Sequence, residues 1–337
     1  DIRLAFELYR DEFANNTQRQ YIFFDEVQYI DDYQEYIKLI YDKRKTEIKF
    51  FLTGLLSLDY KKRVQDSLAG RYFEYRMFPL FFEEYLYLSG HPLYQQFLSV
   101  KNDPDLAKVT GLTEKLSSLF RDFLYFYRLP ETIGYDQEQA TLYIQTVKAQ
   151  SLNKDVLDYF EVRKPQLINL LYEEIVRRSG DEISLRSLSQ KGFKTTHQTL
   201  SKYLEILEIM SLVYVVYNTD KLVKQTKALK KVYTSSHFCS EDRDVGYLVE
   251  SYVLERLLSE SNTVTFYRQR NKEVDFLLPK KKQAIEVKYR SKLEPEDLIS
   301  LGEFSKKRGF QSKIVTLKDY GHDVLGLGAD LVPAMLF

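Results

Sequence analysis

The stretch YIFFDEVQYI, residues Tyr21–Ile30, decides how the front of this chain folds. In it, four bulky apolar or aromatic residues lead directly into Asp25 and Glu26. A continuous apolar run is typical of a strand that is buried on both faces of a parallel sheet. A strand that ends in Asp-Glu has the form of a Walker B strand, whose Asp holds Mg²⁺ and whose Glu activates water against a nucleotide phosphate. On these residues alone, a buried strand that meets an acidic loop remains an alternative.

The residues that follow predict a strand–helix–strand unit. Asp31 and Asp32 are suited to begin a helix that ends near Arg44. The segment IKFFLTG, residues 48–54, then has the pattern of a second buried strand. Two parallel strands joined by a helix form a crossover unit, whose catalytic groups lie at the carboxyl ends of the strands.

The residues at those carboxyl ends predict a nucleotide site, but the P-loop that normally accompanies such a site is not found in the sequence. Asp25 and Glu26 end the first strand and Thr53, which can sense a γ-phosphate, ends the second. Arg71 lies beyond them and is suited to bind phosphate oxygens, either of its own subunit or of a neighbouring one in a homo-oligomer. A P-loop normally accompanies a Walker B strand. Here the first glycine is Gly54, and no Gly-Lys pair occurs anywhere in the sequence.

Composition limits the class of protein. The 337 residues are enough for two or three domains, and 44% apolar with 29% charged residues is ordinary for a globular chain. The sequence contains no apolar run of about 18–20 residues, so we predict no membrane span. The single cysteine, Cys239, rules out an intramolecular disulfide and fits a cytoplasmic location. A formal net charge of zero means that any binding to nucleic acid depends on local patches.

Residues 164–235 predict a winged helix-turn-helix, with three helices followed by two strands. Residues 190–235 contain eight lysines against three acidic residues, a net charge of +5, which suits phosphate binding. The alternative is a solvated wing on a domain that contacts other proteins. The predicted DNA-reading face contains Thr195, His197, Gln198 and Lys202. The predicted basic wing contains Lys221, Lys224, Lys227, Lys230 and Lys231.

The C-terminal block predicts a hairpin that carries acidic residues. If Pro279–Lys282 form a four-residue loop, Phe276 pairs with Ile285 and Asp275 pairs with Glu286. Carboxylates directly opposite each other repel unless a cation or a proton intervenes. On this register Val274, Phe276, Ile285 and Val287 share an apolar face, whereas Asp275, Glu286 and Lys288 share the other.

That charged face has the arrangement of a PD-(D/E)xK nuclease core. Asp275, Glu286 and Glu250 on the preceding helix are the predicted Mg²⁺ ligands, and Lys288 is the predicted catalytic lysine. The alternative is a solvent-exposed charged face in which Glu273 pairs with Lys288.

Several segments resemble a known family. They are YIFFDEVQYIDDYQEYIKLIYD, FFLTG, SLAGRYFEYRMFPLFFEEYL, FLYFYRLPETI and EVDFLL followed by AIEVKY. In this order they closely resemble archaeal and bacterial AAA-type ATPases that carry a DUF4143 C-terminal region. The resemblance implies that ATP and Mg²⁺ are cofactors and that a P-loop module precedes the Walker B strand, so we expect the sequence to begin after that module. Leu55 and Leu56 depart from the serines that usually follow Thr-Gly in the family.

The resemblance also implies a role for each residue at the front of the chain. Asp25 would hold Mg²⁺, Glu26 would be the catalytic base, Thr53 the sensor and Arg71 a phosphate-sensing arginine.

We therefore predict a multidomain α/β protein with four parts. They are a partial AAA-type P-loop NTPase sheet (residues 1–100), a helical lid (101–163), a winged helix (164–235) and a restriction-endonuclease-like α/β domain (236–337). The predicted function is ATP hydrolysis coupled to DNA binding or processing. The alternative is an ATP-dependent switch or assembly protein whose C-terminal domain binds without cutting.

Overall fold

The computed structural model forms two compact units, Asp1–Tyr75 and Arg76–Phe337. Several residues named above lie outside the described part of the chain: Asp31, Leu55, Leu56, Lys221, Lys224, Lys227 and Cys239. The structure describes residues 4, 6–9, 19–30, 32–54, 68, 70–219, 230–238, 244–261, 263–269, 272–290, 292–324 and 328–337.

The first unit contains the predicted strand–helix–strand. Strand β1 (Gln20–Phe24) leads through helix α1 (Tyr33–Arg44) to strand β2 (Ile48–Leu52). The two strands pair in parallel, from Gln20 opposite Ile48 to Phe24 opposite Leu52. Helix α1 has Glu35 in its first turn and basic residues in its last, which suits the helix dipole. The crossover therefore brings the carboxyl ends of β1 and β2 to the same edge.

The prediction that these strands are buried on both faces was wrong. Burial alternates along β1, so Ile22 and Phe24 pack inward whereas Tyr21 and Phe23 are 57% and 71% exposed. Phe23 stacks on Phe51 of β2, with ring centroids 4.6 Å apart. The physical reason is that, within the described residues, the two apolar clusters of this unit lie against the face that carries Ile22 and Phe24.

The second unit begins with helices and ends with a mixed sheet. None of the described helices combines the length and the apolar character required to cross a lipid bilayer. The helices are α2 (Phe82–Leu88), α3 (Tyr94–Asn102), α4 (Leu106–Phe126), α5 (Gln137–Gln150), α6 (Val156–Tyr159), α7 (Pro165–Arg177), α8 (Leu185–Lys191), α9 (His197–Ile209), α10 (Val245–Glu260) and α11 (Pro295–Arg308).

One eight-stranded sheet runs through the second unit. Its spatial order is β10-β9-β8-β7-β6-β4-β5-β3. The strands are β3 (Glu182–Ile183), β4 (Val213–Asn218), β5 (Lys230–Thr234), β6 (Thr265–Gln269), β7 (Lys272–Leu278), β8 (Gln283–Lys288), β9 (Gln311–Thr316) and β10 (Ala329–Pro333).

This sheet crosses the boundary predicted at residues 235 and 236. Strand β4 pairs in parallel with β6 through Tyr217 opposite Thr265 and Asn218 opposite Phe266. The Asn218 amide also donates to the Arg268 carbonyl at 3.0 Å. The helices and strands predicted for residues 164–235 form where expected, but their strands join the C-terminal sheet. The four-part division and the winged-helix assignment stay predictions.

The main core of the second unit is aromatic. Phe82 of α2, Phe120 and Phe123 of α4, and Tyr252 of α10 are almost fully buried against one another. The ring centroids of Phe82 and Phe120 are 5.0 Å apart, and those of Phe120 and Tyr252 are 5.6 Å apart. Edge-to-face aromatic packing at such distances is favourable beyond the apolar area it buries. Helices α2 and α4 therefore pack on α10, which in turn covers one face of the sheet.

Candidate functional site

The carboxyl edge of β1 and β2 brings three predicted residues together. The Thr53 amide donates to the Phe24 carbonyl at 2.9 Å, and the Val27 amide donates to the Thr53 carbonyl at 3.0 Å. The Thr53 hydroxyl donates to the Asp25 carboxylate, and the Glu26 amide donates to the same hydroxyl at 3.3 Å. These bonds hold Asp25, Glu26 and Thr53 as one group at the end of the parallel pair.

The backbone at Glu26 is unusual. Its φ of 51° and ψ of 47° lie in the left-handed region, which a non-glycine residue seldom adopts. Such strain is concentrated at functional sites in proteins. Asp25, Glu26 and Thr53 are exposed, and their carboxylate and hydroxyl oxygens are ligands of the kind that Mg²⁺ takes. The donor set at this edge therefore fits the metal that the family resemblance implies.

Arg71 has a carboxylate partner on helix α1. Its Nε donates to Asp42 Oδ1 at 2.8 Å, and its Nη2 approaches Asp42 Oδ2 at 3.3 Å. The hydrogen bond from this guanidinium holds the pKa of Asp42 below its usual value. The sequence pattern did not reveal Asp42, because nothing in the pattern links residues that are 29 positions apart. A phosphate-sensing role for Arg71 stays a prediction.

The second candidate site is a carboxylate cluster in the sheet. The predicted hairpin register is confirmed beside the turn, with Phe276 opposite Ile285 and Leu278 opposite Gln283. The Asp275 amide donates to Glu286 Oε2 at 3.3 Å, and the Val287 amide donates to Asp275 Oδ2 at 3.0 Å.

A bulge in β7 turns Asp275 into this cluster. Between the pairs Thr265–Leu277 and Tyr267–Val274, strand β7 has one residue more than β6. A bulge bends the strand and re-aims a side chain. It also corrects one prediction, because Val274 does not share the apolar face of Phe276 and Ile285. Val274 packs instead on the opposite face of the sheet, with the cluster that includes Ala284, Leu301 and Phe304.

The charged partners in the cluster differ from the predicted ones. Lys288 Nζ lies 2.6 Å from Glu286 Oε1, whereas Glu273 lies 2.6 Å from Lys231 and 3.3 Å from Arg268. Strand β5 supplies Lys231, which the sequence suggested as part of an exposed basic wing that either binds phosphate or is merely solvated. That interpretation of Lys231 was wrong, because only 5% of its side chain is exposed. The sequence did contain a signal for this burial. Lys231 lies two residues before Tyr233 in the same strand, so the two side chains share one face of the sheet.

Lys231 lies among three carboxylates. Its Nζ is 2.6 Å from Glu273 Oε1, 3.4 Å from Asp275 Oδ1 and 3.8 Å from Glu250 Oε1. Burial lowers the pKa of Lys231, but the three carboxylates more than reverse this and leave that pKa above its usual value. Lys231 is therefore an ammonium ion inside the sheet.

Two glutamates of the cluster, Glu250 and Glu286, resist ionisation. Burial, and then the charge of Asp275, raise the pKa of Glu286 to about 8 and that of Glu250 to about 7. Tyr233 donates its hydroxyl to Glu250 Oε1 at 2.8 Å. Across the described ranges, no three Asp, Glu, His or Cys side chains are placed to hold one metal ion. The structure thus brings Glu250, Asp275 and Glu286 together, while their role as metal ligands stays a prediction.

A buried ion pair lies near these strands. Arg128 and Glu255 have fully buried side chains, and their Nη2 and Oε2 atoms are 2.6 Å apart. Glu255 also accepts hydrogen bonds from the Ser235 hydroxyl at 3.1 Å and from the Ser236 amide at 2.9 Å. Burial, and then the charge of Arg128, lower the pKa of His237 to about 3. The pair therefore joins the end of α4, the end of β5 and helix α10.

The exposed face of α9 carries most of the predicted DNA-reading residues. The Thr196 hydroxyl accepts a hydrogen bond from the Thr199 amide at 3.1 Å and so caps the helix. His197, Gln198 and Lys202 are exposed on the helix that follows. Burial lowers the pKa of Lys230, although Glu208 partly offsets this effect.

Comparisons with known proteins match three stretches of the chain. An AAA domain model matches residues 2–86, and models of two domains of unknown function, DUF8612 and DUF4143, match residues 117–237 and 245–336. An uncharacterized protein of Methanocaldococcus jannaschii is 26% identical over 246 residues, which cover 68% of this chain and 51% of the relative. An uncharacterized protein of Haemophilus influenzae is 19% identical over 212 residues, which cover 62% of this chain and 48% of the relative.

The chain spans about half the length of the curated relatives it matches. The AAA match includes the strand pair that ends in Asp25 and Thr53, and the DUF4143 match includes the hairpin of Asp275 and Glu286. The resemblance predicted this combination of an AAA domain at the front and a DUF4143 region at the back. The two matches together support an AAA-type ATPase family with a DUF4143 C-terminal region.

Proposed function

We propose that the carboxyl edge of β1 and β2 takes part in ATP hydrolysis. The observation that carries this proposal is the hydrogen bond from the Thr53 hydroxyl to the Asp25 carboxylate at the end of a parallel strand pair. Catalytic groups in such sheets lie at this edge. The match to an AAA domain supports an ATPase-like activity for the same residues.

Each residue of this edge has a role that its chemistry suits. Asp25 would hold Mg²⁺, which when bound neutralises charge on the phosphates. Glu26 would accept a proton from the attacking water. Thr53 would direct its hydroxyl to the γ-phosphate, and its bonds to Asp25 and to the Glu26 amide keep it beside both. Arg71 would have to exchange Asp42 for a phosphate in order to take part.

The test of this proposal compares two substitutions at Thr53. The protein is assayed with a P-loop module placed before Asp1, because the sequence has no Gly-Lys pair to cradle phosphates. Thr53→Val removes the hydroxyl at nearly constant volume, and we expect kcat for ATP to fall by about 100-fold. Thr53→Ser keeps the hydroxyl and should retain most of the activity. Equal rates for Thr53→Val and the parent protein would contradict the proposed role.

We further propose that ATP hydrolysis is coupled to DNA binding through residues 164–235. The exposed His197, Gln198 and Lys202 at the start of α9 support this second proposal, since base-reading residues occupy such a helix start in helix-turn-helix proteins. The alternative is a switch or assembly protein in which this surface contacts other proteins. Buried Lys231 within the carboxylates favours a C-terminal domain that binds without cutting, so we assign no metal-dependent step to that cluster.

DNA binding can be tested through its dependence on salt. Substituting Lys202 together with Lys221, Lys224 and Lys227 by Ala should weaken binding to all duplex sequences alike. It should also reduce the slope of log K against log salt by roughly one unit for each phosphate that is no longer bound by a lysine. Fluorescence anisotropy at several salt concentrations measures both quantities. The control is Lys281→Ala, which removes an exposed lysine that pairs with Glu260. If both the affinity for DNA and the slope of log K against log salt stay unchanged, residues 164–235 are assigned to contacts with other proteins.

A further inference from the structure

The pairing of β5 with its two neighbouring strands fixes the position of Lys231. Its backbone lies in β5 between two neighbouring strands, opposite Val216 of β4 and Glu182 of β3. Two residues along the same strand, Tyr233 holds Glu250 by a hydrogen bond of 2.8 Å. Glu250 is itself packed closely, because a Cβ atom added to Gly180 would lie 3.3 Å from Glu250 Oε2. Strand β5 therefore carries both the ammonium group of Lys231 and the hydroxyl of Tyr233 that binds the Glu250 carboxylate.

The cluster contains nearly equal numbers of acidic and basic side chains. The acidic members Glu250, Glu273, Asp275 and Glu286 face Lys231, Lys288 and Arg268. A buried carboxylate that stays ionised requires a cation, and a protein can supply it as an ammonium group or as a metal ion. Mg²⁺ demands oxygen ligands at about 2.0–2.1 Å, in a near-octahedral shell. An ammonium group within hydrogen-bonding distance of the same oxygens competes for them and repels the ion.

We propose that Lys231 is the built-in cation of this cluster and that it excludes divalent metal ions from it. The arrangement that resembles a nuclease core is then a structural site in which a lysine takes the place of the metal. The proposal depends neither on ATP hydrolysis nor on DNA binding. It also implies that, once the lysine is removed, Glu250, Asp275 and Glu286 can move together around a divalent ion, which their placement in the parent chain does not allow.

The experiment measures Mn²⁺ binding without nucleotide or DNA. Lys231→Met keeps an unbranched side chain of nearly the same length and removes its charge. Isothermal titration calorimetry and the electron paramagnetic resonance signal of free Mn²⁺ then report binding. We expect no binding by the parent chain up to about millimolar Mn²⁺, and at least roughly 100-fold tighter binding by Lys231→Met, because the substitution removes a like charge within about 4 Å. Adding Asp275→Asn to Lys231→Met should abolish the gain.

Two controls distinguish the loss of the positive charge at residue 231 from the general effect of substituting a lysine. Lys231→Arg keeps a cation in place and should bind no Mn²⁺, whereas Lys281→Met removes an exposed lysine elsewhere and should behave like the parent chain. If Lys231→Met is unstable because its carboxylates repel, the double variant Lys231→Met, Glu273→Gln relieves the repulsion and keeps the three predicted ligands. Equal Mn²⁺ affinity in the parent and Lys231→Met would overturn the proposal. So would a folded Lys231→Met, alone or with Glu273→Gln, that binds no Mn²⁺.

Discussion

Glu26→Gln is expected to abolish ATP turnover while leaving ATP binding intact, once the protein is joined to a P-loop module. Glutamine preserves the size of the side chain and its ability to orient water, but it cannot accept a proton at neutral pH. General-base catalysis typically contributes 10²–10⁴-fold, so kcat should fall by about that factor. Phosphate release measures turnover, and calorimetry with Mg²⁺-ATP measures binding.

The control for this prediction is Glu35→Gln. Glu35 is an exposed glutamate in the first turn of α1, outside the hydrogen-bonded group at the strand ends, and its substitution should leave kcat unchanged. A second comparison uses the 337-residue chain without an added module, which should bind ATP very weakly because its sequence lacks a P-loop. Micromolar ATP affinity in this chain alone would contradict the expectation that ATP binding requires a P-loop module. A Glu26→Gln variant that turns over ATP at the parent rate would remove Glu26 from the reaction.

Local patterns were sufficient to predict the strand pair and the hairpin. The apolar run before Asp25 and the apolar run before Thr53 are each short, and one helix separates them, so their parallel pairing follows from chain connectivity. The turn Pro279–Lys282 likewise fixes the register of Phe276 and Ile285. In both cases the residues that decide the geometry are near one another in sequence.

Contacts between distant segments could not be predicted in the same way. Periodicity assigned Val274 to the face of Phe276, but an extra residue in β7 moved it to the other face. A count of charges placed Lys231 in an exposed basic wing, although β5 lies inside the sheet and buries it. Pairing between β4 and β6 joins segments about 50 residues apart, and no turn signal marks such a pair.

Arg128 and Glu255 illustrate the same limit, and they provide the second prediction of large effect. Arg128→Met should destabilise the second unit by about 3–5 kcal/mol, because the substitution leaves the Glu255 carboxylate buried without its cation. The guanidinium carbon of Arg128 also lies 4.8 Å from the centroid of the Tyr252 ring, so the substitution removes this cation–π interaction as well. For a unit of this size, such a destabilisation lowers Tm by roughly 10 °C. Differential scanning calorimetry measures the shift.

The double variant Arg128→Met, Glu255→Gln tests whether the unpaired charge is the cause. Glutamine keeps an acceptor for the Ser235 hydroxyl and the Ser236 amide but carries no charge. The double variant should therefore be more stable than Arg128→Met alone, which is the sign expected for two coupled neighbours. Lys272→Met serves as the control, since Lys272 forms an ion pair with Glu303 on the surface and its removal should leave Tm nearly unchanged. A small Tm shift for Arg128→Met, similar to that of Lys272→Met, would show that the buried pair contributes little to the stability of the second unit.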